Sequence, residues 1–237
     1  MLAAIEQDSV VMWAAAYLLM PLLIQHVDVF KYWVCYRIGG CYIDMDMESL
    51  QPLDVLLNQL PNAQFIVSEL YMSPLWTRVL QATGLYKATV GANNGMMISA
   101  PGCIVCLDLF QTCLNRVNHF SRYLNESLYV MCSTGPLAFS DVIAKYNPKR
   151  VTPQNISEMR DADIIILHPS YFEPLTCLEV VEGGHEAQIP SNSIAFHRFA
   201  SEWTPTSTKK IILFLPRYMA YCSILLSLAA ACYYYIM

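Results

Sequence analysis

One stretch constrains the fold more than any other: Asp28-Val-Phe-Lys31-Tyr-Trp-Val-Cys-Tyr-Arg37-Ile-Gly39-Gly40-Cys-Tyr42-Ile-Asp44-Met-Asp46. It predicts an amphipathic helix, a Gly-Gly stop and a short strand ending in Asp-x-Asp. On a helix, residues three or four apart share a face, so Asp28 and Lys31 project together while Val27, Phe30 and Val34 can turn to a core. Gly39 and Gly40 suit a helix C-terminus, because glycine tolerates left-handed backbone. Cys41 to Met47 then has period two, with Tyr42, Asp44 and Asp46 on one face and Cys41, Ile43, Met45 and Met47 on the other. Two carboxylates aimed at one place can meet a hard cation such as Mg2+ or Mn2+, which takes carboxylate and phosphate oxygens. Such a cation neutralises the charge that builds on a departing diphosphate. The plainer alternative is a solvated acidic strand end.

The middle of the chain alternates between helix and strand patterns. "QPLDVLLNQL" reads as helix, "AQFIVSEL" as a buried strand and "PLWTRVLQATG" as a helix ended by Gly84. "NNGMMISA" reads as a strand, followed by Pro101-Gly102 and a helix through about Leu114. "DADIIILHP" holds an apolar strand, Ile164 to Leu167, ending at Pro169. This alternation predicts an α/β fold with a mainly parallel sheet, whose ligands bind beyond the carboxyl ends of the strands.

Several segments together carry a resemblance. The stretch from Asp28 to Asp46 resembles the sugar-binding region of family 32 glycosyltransferases, with its Asp-x-x-Arg-Tyr and Gly-Gly-x-Tyr-x-Asp-x-Asp pattern. "MPLLIQHVDVFKYWV", "VMCSTGPLAFSDVIAKY" and "FHRFASEW" resemble the subgroup that transfers mannose to inositol phosphorylceramide in sphingolipid biosynthesis. The likeness runs from about Met20 to Trp203, in the family's order. It implies a Rossmann-like glycosyltransferase-A fold, a nucleotide-sugar donor (GDP-mannose first), Mn2+ or Mg2+, and retention of anomeric configuration. It also implies a lipid acceptor, a Golgi membrane setting with a lumenal catalytic domain, and a regulatory subunit as partner.

Carried over residue by residue, the resemblance gives Asp28, Lys31, Gly40, Tyr42, Asn93 and Asn94 to the donor site. Asp44 is expected near ribose and sugar, and Asp46 on the metal. His197 and Trp203 are expected to close over metal and diphosphate, and Gly135-Pro136 to form the turn on the acceptor side. Lys31 stands where the family has Arg, which loses the planar fork for bidentate contacts. Asn94 replaces an Asp, and Ala200 and Glu202 replace Gly and Ser. Family members begin with a further strand and helix, whereas 27 residues precede Asp28 here. A truncated, non-catalytic relative is therefore the alternative, beside another Golgi transferase acting on glycans.

The resulting plan is an apolar helical segment over 1–27, a sugar-binding domain over 28–203, a linker over 204–210 and a transmembrane helix over 211–237. Tyr218 to Met237 is 20 residues without a charge, enough as a helix to span ~30 Å of hydrocarbon. Lys209, Lys210 and Arg217 flank it on the domain side, which by charge alone favours the cytosol and conflicts with a lumenal domain. Ser9 to Gln25 is uncharged but follows Glu6 and Asp8 without a basic leader, so a buried helix feeding Asp28 is favoured over a signal anchor. With 14 basic and 19 acidic residues and no basic stripe, nucleic acid is excluded as a partner. Cys103 and Cys106 form a CxxC without a second pair, which reads as buried small hydrophobes. Of the five histidines only His197 has a motif around it.

Overall fold

The computed structural model describes residues 14, 17–72, 74–120, 126–176, 179–180 and 189–199. Helix α1 (Leu23–Arg37) leads into strand β1 (Gly40–Ile43) and β2 (Met47–Ser49). Then come α2 (Asp54–Leu57), β3 (Phe65–Glu69), α3 (Pro74–Ala82), β4 (Ala92–Ser99) and the long α4 (Ile104–Phe120). Helices α5 (Glu126–Ser133) and α6 (Pro136–Ile143) precede β5 (Lys149–Val151), β6 (Ile164–Leu167) and β7 (Ala195–His197).

Five strands form one sheet in the order β1-β4-β3-β6-β5. β3, β6 and β5 pair in parallel, while β4 is antiparallel to both β1 and β3. Four strands therefore point one way, and β4 is threaded among them in reverse. The apolar run of β6 and the buried run of β3 follow from cover on both faces, which removes the polar alternation of a half-exposed strand. Phe65 and Val67 join α1, α4 and α6 in one core through Tyr32, Leu109 and Phe139. Ile66 faces the opposite core with Leu56, Ile165, Phe172 and Ile194.

The Gly-Gly stop forms as expected. Gly39 and Gly40 have φ of +72° and +98°, and the Gly39 N–H closes the helix on the Cys35 carbonyl at 3.0 Å. A Cβ on Gly39 would lie 2.6 Å from the Pro101 nitrogen and 2.8 Å from the Ser99 carbonyl oxygen. Gly39→Ala combines this backbone collision with a left-handed φ. It is expected to lower unfolding free energy by about 2–4 kcal/mol in chemical denaturation. A loss under about 0.5 kcal/mol, the size of an ordinary surface change, would contradict this packing.

Five expectations are corrected. Val27 and Phe30 are exposed and Val34 is half-buried, whereas Asp28 and Lys31 are buried with Gln25, Tyr32 and Cys35. The charged pair wins the inner face because each charge finds a partner there. β1 ends at Ile43, and Asp44 to Asp46 form a turn closed by the Met47 N–H on the Asp44 carbonyl at 3.0 Å. Met45 is fully exposed at the tip of that turn. In the N-terminal segment Leu18, Leu19 and Leu23 are exposed, not buried, although Met20 joins the core. α4 runs to Phe120, beyond the expected end near Leu114, and the expected helix "QPLDVLLNQL" is a single turn at α2. Among the described residues no helix is long and apolar enough to cross a membrane. The linker at 204–210 and the expected membrane helix at 211–237 lie outside them.

Candidate functional site

One rim of the sheet collects the polar side chains. The carboxyl ends of β1 and β6 meet there with the amino end of the reversed β4. That is where ligands bind in open α/β sheets. A bulge sharpens the arrangement: Val67 pairs with Met97 but Ser68 pairs with Asn93, so residues 94–96 face no residue of β3. β1 follows the bulge, and the Asp44 N–H bonds the Gly95 carbonyl at 2.7 Å.

The Asp44–Asp46 turn is held from its far side by a second, two-stranded sheet. β2 pairs with β7 in antiparallel register, Met47 opposite His197. The Arg198 N–H donates to the Asp46 carbonyl at 2.8 Å. This brings His197 Nε2 to 3.3 Å from Asp46 Oδ1. On the other side of the ring, His197 Nδ1 lies 3.2 Å from Glu173 Oε1. Asn93 donates to the same Glu173 oxygen through its side-chain amide, and the Gly95 N–H holds Asn93 Oδ1 at 2.9 Å. The ring of Phe199 stacks on His197 with centroids 4.0 Å apart. Gly95 leaves the middle open: a Cβ there would sit 3.2 Å from Asp44 Oδ2 and 3.5 Å from His197 Cε1.

Beneath this cluster lies a buried charge network. Lys31 Nζ is 2.8 Å from Asp28 and 3.9 Å from Asp44. Asp28 also accepts from Thr134 Oγ1 at 2.8 Å and from Asn94 Nδ2 at 3.2 Å. Tyr32 receives a bond from Asn94 and donates to the Thr134 carbonyl at 2.7 Å. Gln25 bonds Ser133 at 2.8 Å. The Ser-Thr-Gly-Pro segment is thus tied to the inner face of α1. Tyr42 donates to Asp44 Oδ1 at 2.8 Å, and Lys31 lies 5.2 Å from the centre of its ring.

Electrostatics follow the burial. Burial pushes the Asp28 carboxyl above the usual aspartate range, against the pull of Lys31. Burial works against the Lys31 ammonium, but Asp28 and Asp44 outweigh it and raise its pKa. Burial likewise raises Glu173 against the pull of His197. For His197 itself burial acts downward, yet Asp46 and Glu173 prevail and raise it to about 9. A proton held at about 9 instead of the ordinary 6.5 stabilises the folded chain fully below pH 6.5. That contribution disappears as the pH rises through about 9. In the metal-free chain the denaturation midpoint is expected to fall across this window, and His197→Gln is expected to flatten the fall. An equal fall in the variant would assign it to other groups.

Of the residues singled out in the sequence, Asp28, Lys31, Tyr42, Asp44, Asp46, Asn93, Asn94 and His197 share one connected network. Gly40 stands apart at the opposite end of β1, paired with Ser99. Gly135 caps α6 and is buried against α5, where a Cβ would lie 3.1 Å from Met131 Cα. Trp203 lies outside the described residues. Sequence reasoning missed Glu173 and Thr134 as members of the network. A signal for Glu173 existed, since it closely follows β6 on the rim where ligands are expected.

A divalent cation fits the chemistry of the donors. Two carboxylates and an imidazole nitrogen line the rim, and Mg2+ and Mn2+ are typically held by one or two carboxylates plus phosphate oxygens. Among the described residues no group of three or more His, Cys, Asp and Glu side chains is placed to hold a metal ion by itself.

Residues 2–65 match the family described as glycosyltransferase sugar-binding region containing DXD motif. Over 156 residues the chain is 30% identical to inositol phosphoceramide mannosyltransferase 2 of Schizosaccharomyces pombe, covering 64% of this chain and 38% of that protein. Inositol phosphoceramide mannosyltransferases 3 and 1 of the same organism are each 28% identical, over 51% and 56% of this chain and 27% and 36% of theirs. The chain thus spans about a third of the length of the curated relatives it matches.

Proposed function

We propose that this chain, which belongs to the family 32 glycosyltransferases with a DXD motif, moves a sugar from a nucleotide donor to a lipid headgroup. The donor is GDP-mannose and the acceptor inositol phosphorylceramide; the sugar and the acceptor are those in the names of its relatives, the inositol phosphoceramide mannosyltransferases. The observation that carries the proposal is the meeting of the Asp44–Asp46 turn with His197, two segments held together by the β2–β7 pairing.

When bound, Mn2+ or Mg2+ at Asp44, Asp46 and His197 supplies positive charge to the donor diphosphate. The remaining work falls to the chain. Tyr42 and Lys31 fix one oxygen of Asp44, leaving its Oδ2 directed at the space above Gly95. Asp28 and Asn94 hold Lys31 and Tyr32 in place beneath it, so the donor floor is rigid before ligand arrives. The His197 ring, held between Asp46 at Nε2 and Glu173 at Nδ1, stays fixed at the edge of the space the diphosphate would occupy. The bond from the anomeric carbon to the diphosphate oxygen breaks as the acceptor hydroxyl adds to that carbon through an oxocarbenium-like state, and the hydroxyl proton passes to the departing phosphate oxygen. Trp203 completes the donor site in this proposal, with Gly135-Pro136 on the acceptor side. A Golgi membrane setting and a regulatory subunit belong to the same reading, with residues 211–237 as the anchor.

The test is calorimetric titration of the full chain in detergent with GDP-mannose and UDP-glucose, with and without Mn2+, followed by transfer to inositol phosphorylceramide. Metal-dependent binding of GDP-mannose and labelled product are the expected results. A folded chain that binds neither donor would replace this reading with a non-catalytic relative. Transfer to glycans instead of the lipid would change the acceptor alone.

A further inference from the structure

We propose that Glu173 is the positioning residue of this site: its carboxylate fixes the ring of His197 so that Nε2 faces the Asp46 carboxylate and any cation held there. This deepens the functional reading above and rests on it for the cation.

The case is geometric. His197 has two ring nitrogens, and each meets a different carboxylate, Nε2 at 3.3 Å from Asp46 and Nδ1 at 3.2 Å from Glu173. The two are not equivalent. Asp46 stands on a turn with a partly exposed side chain, open to a ligand, whereas the Glu173 side chain is only 6% exposed. Glu173 is also anchored from behind, since Asn93 donates to the oxygen that faces His197 and is itself fixed by the Gly95 N–H. The imidazole is thus gripped at Nδ1 by a buried, anchored acceptor and directed by Nε2 at a more exposed one. Histidines that hold metals commonly donate their second N–H to a carboxylate in this way, which sets the ring's orientation and raises its basicity. The backbone supports the same arrangement. β7 delivers His197 from the β2 side, while Glu173 comes from the segment after β6, whose Tyr171 carbonyl receives the Ile194 N–H at 2.7 Å. Glu173 therefore links the two ends of the segment that carries β7 to the main sheet. No periodicity marks it in the sequence, because it belongs to no helix or strand.

The test uses the full chain in detergent, with Glu173→Gln, Glu173→Ala and, as a structural control, Ser170→Ala. The control removes bonds in the same segment, to His168 and Asn192, without touching His197. Mn2+ binding is read by electron paramagnetic resonance, and the placement of the His197 ring in the metal-free chain by nuclear Overhauser contacts of its Cε1 proton with Gly95 and of the ring with Phe199, at one fixed pH. Glu173→Ala is expected to weaken Mn2+ about 10–100-fold, with a smaller loss in Glu173→Gln, which keeps an acceptor but not its charge. Glu173→Ala is also expected to lose the ring contacts. Ser170→Ala is expected to change neither, whatever it does to thermal stability. Wild-type Mn2+ affinity together with unchanged ring contacts in Glu173→Ala would overturn the proposal. If the wild-type chain binds no Mn2+, the metal reading fails by itself, and the ring contacts still decide whether Glu173 positions the ring.

Discussion

Asp46→Asn is expected to abolish metal-dependent donor binding and to lower transfer by on the order of 10²–10³-fold, the scale of losing one preorganised electrostatic contact. The substitution keeps shape and removes charge. It spares the backbone bond between Arg198 N–H and the residue 46 carbonyl, so the β2–β7 pairing survives. What it costs is its share of the ion pair with His197. The expected signature is a cooperative thermal transition with no Mn2+-dependent calorimetric heat for GDP-mannose. A variant that binds donor with unchanged metal dependence would remove Asp46 from the proposed metal site, and Asp44 would have to carry the cation alone.

The second large effect lies underneath. Lys31→Met is expected to destabilise the chain by about 3–5 kcal/mol, because it leaves the buried Asp28 carboxylate without its countercharge. Thr134 and Asn94 still donate to Asp28, but hydrogen bonds alone do not replace a full charge in such a place. The double variant Asp28→Leu/Lys31→Met removes both charges and is expected to recover most of that loss. Paired denaturation curves of the single and double variants measure this directly. If the double variant is no more stable than the single, the penalty comes from lost packing and not from the orphaned charge. Donor binding should stay low in the double variant even where stability returns, since Asp44 has lost its lysine.

Why some of this was legible in the sequence and some was not follows from particular residues. β3 and β6 are short apolar runs bounded by polar residues, the mark of strands covered on both faces. Gly39 and Gly40 announce the end of α1 because only glycine takes their φ without strain. The Asp-x-Asp motif falls on the rim of the sheet, but in another local structure than expected: the alternation from Cys41 to Met47 is broken by a turn that Gly95 fastens. The inner face of α1 was misread because a rule that sends charges outward fails when Lys31, Asp28 and Asp44 satisfy one another. β2, β5 and β7 have three residues each and too little length to show any period. Their existence depends on partners far along the chain, which no local pattern records. Glu173 stayed hidden for the same reason.

That distance along the chain has a consequence of its own. Glu48 on β2 and Arg198 just after β7 are separated by 150 residues of sequence, yet they form an ion pair across the β2–β7 junction. Bringing two such remote segments together costs loop-closure entropy, and the reward is a ribbon only three residues deep. Among the described residues it is one of two strand pairings only three residues long, the other being β5 with β6. It is the natural place for local opening, at a free energy well below that of global unfolding. A ligand that touches both Asp46 and His197 acts there as a cross-link, and mass action converts its occupancy into protection of the segment that opens. Amide exchange at the ends of β2 and β7 thus becomes a gauge of donor occupancy, readable without following the chemistry at all.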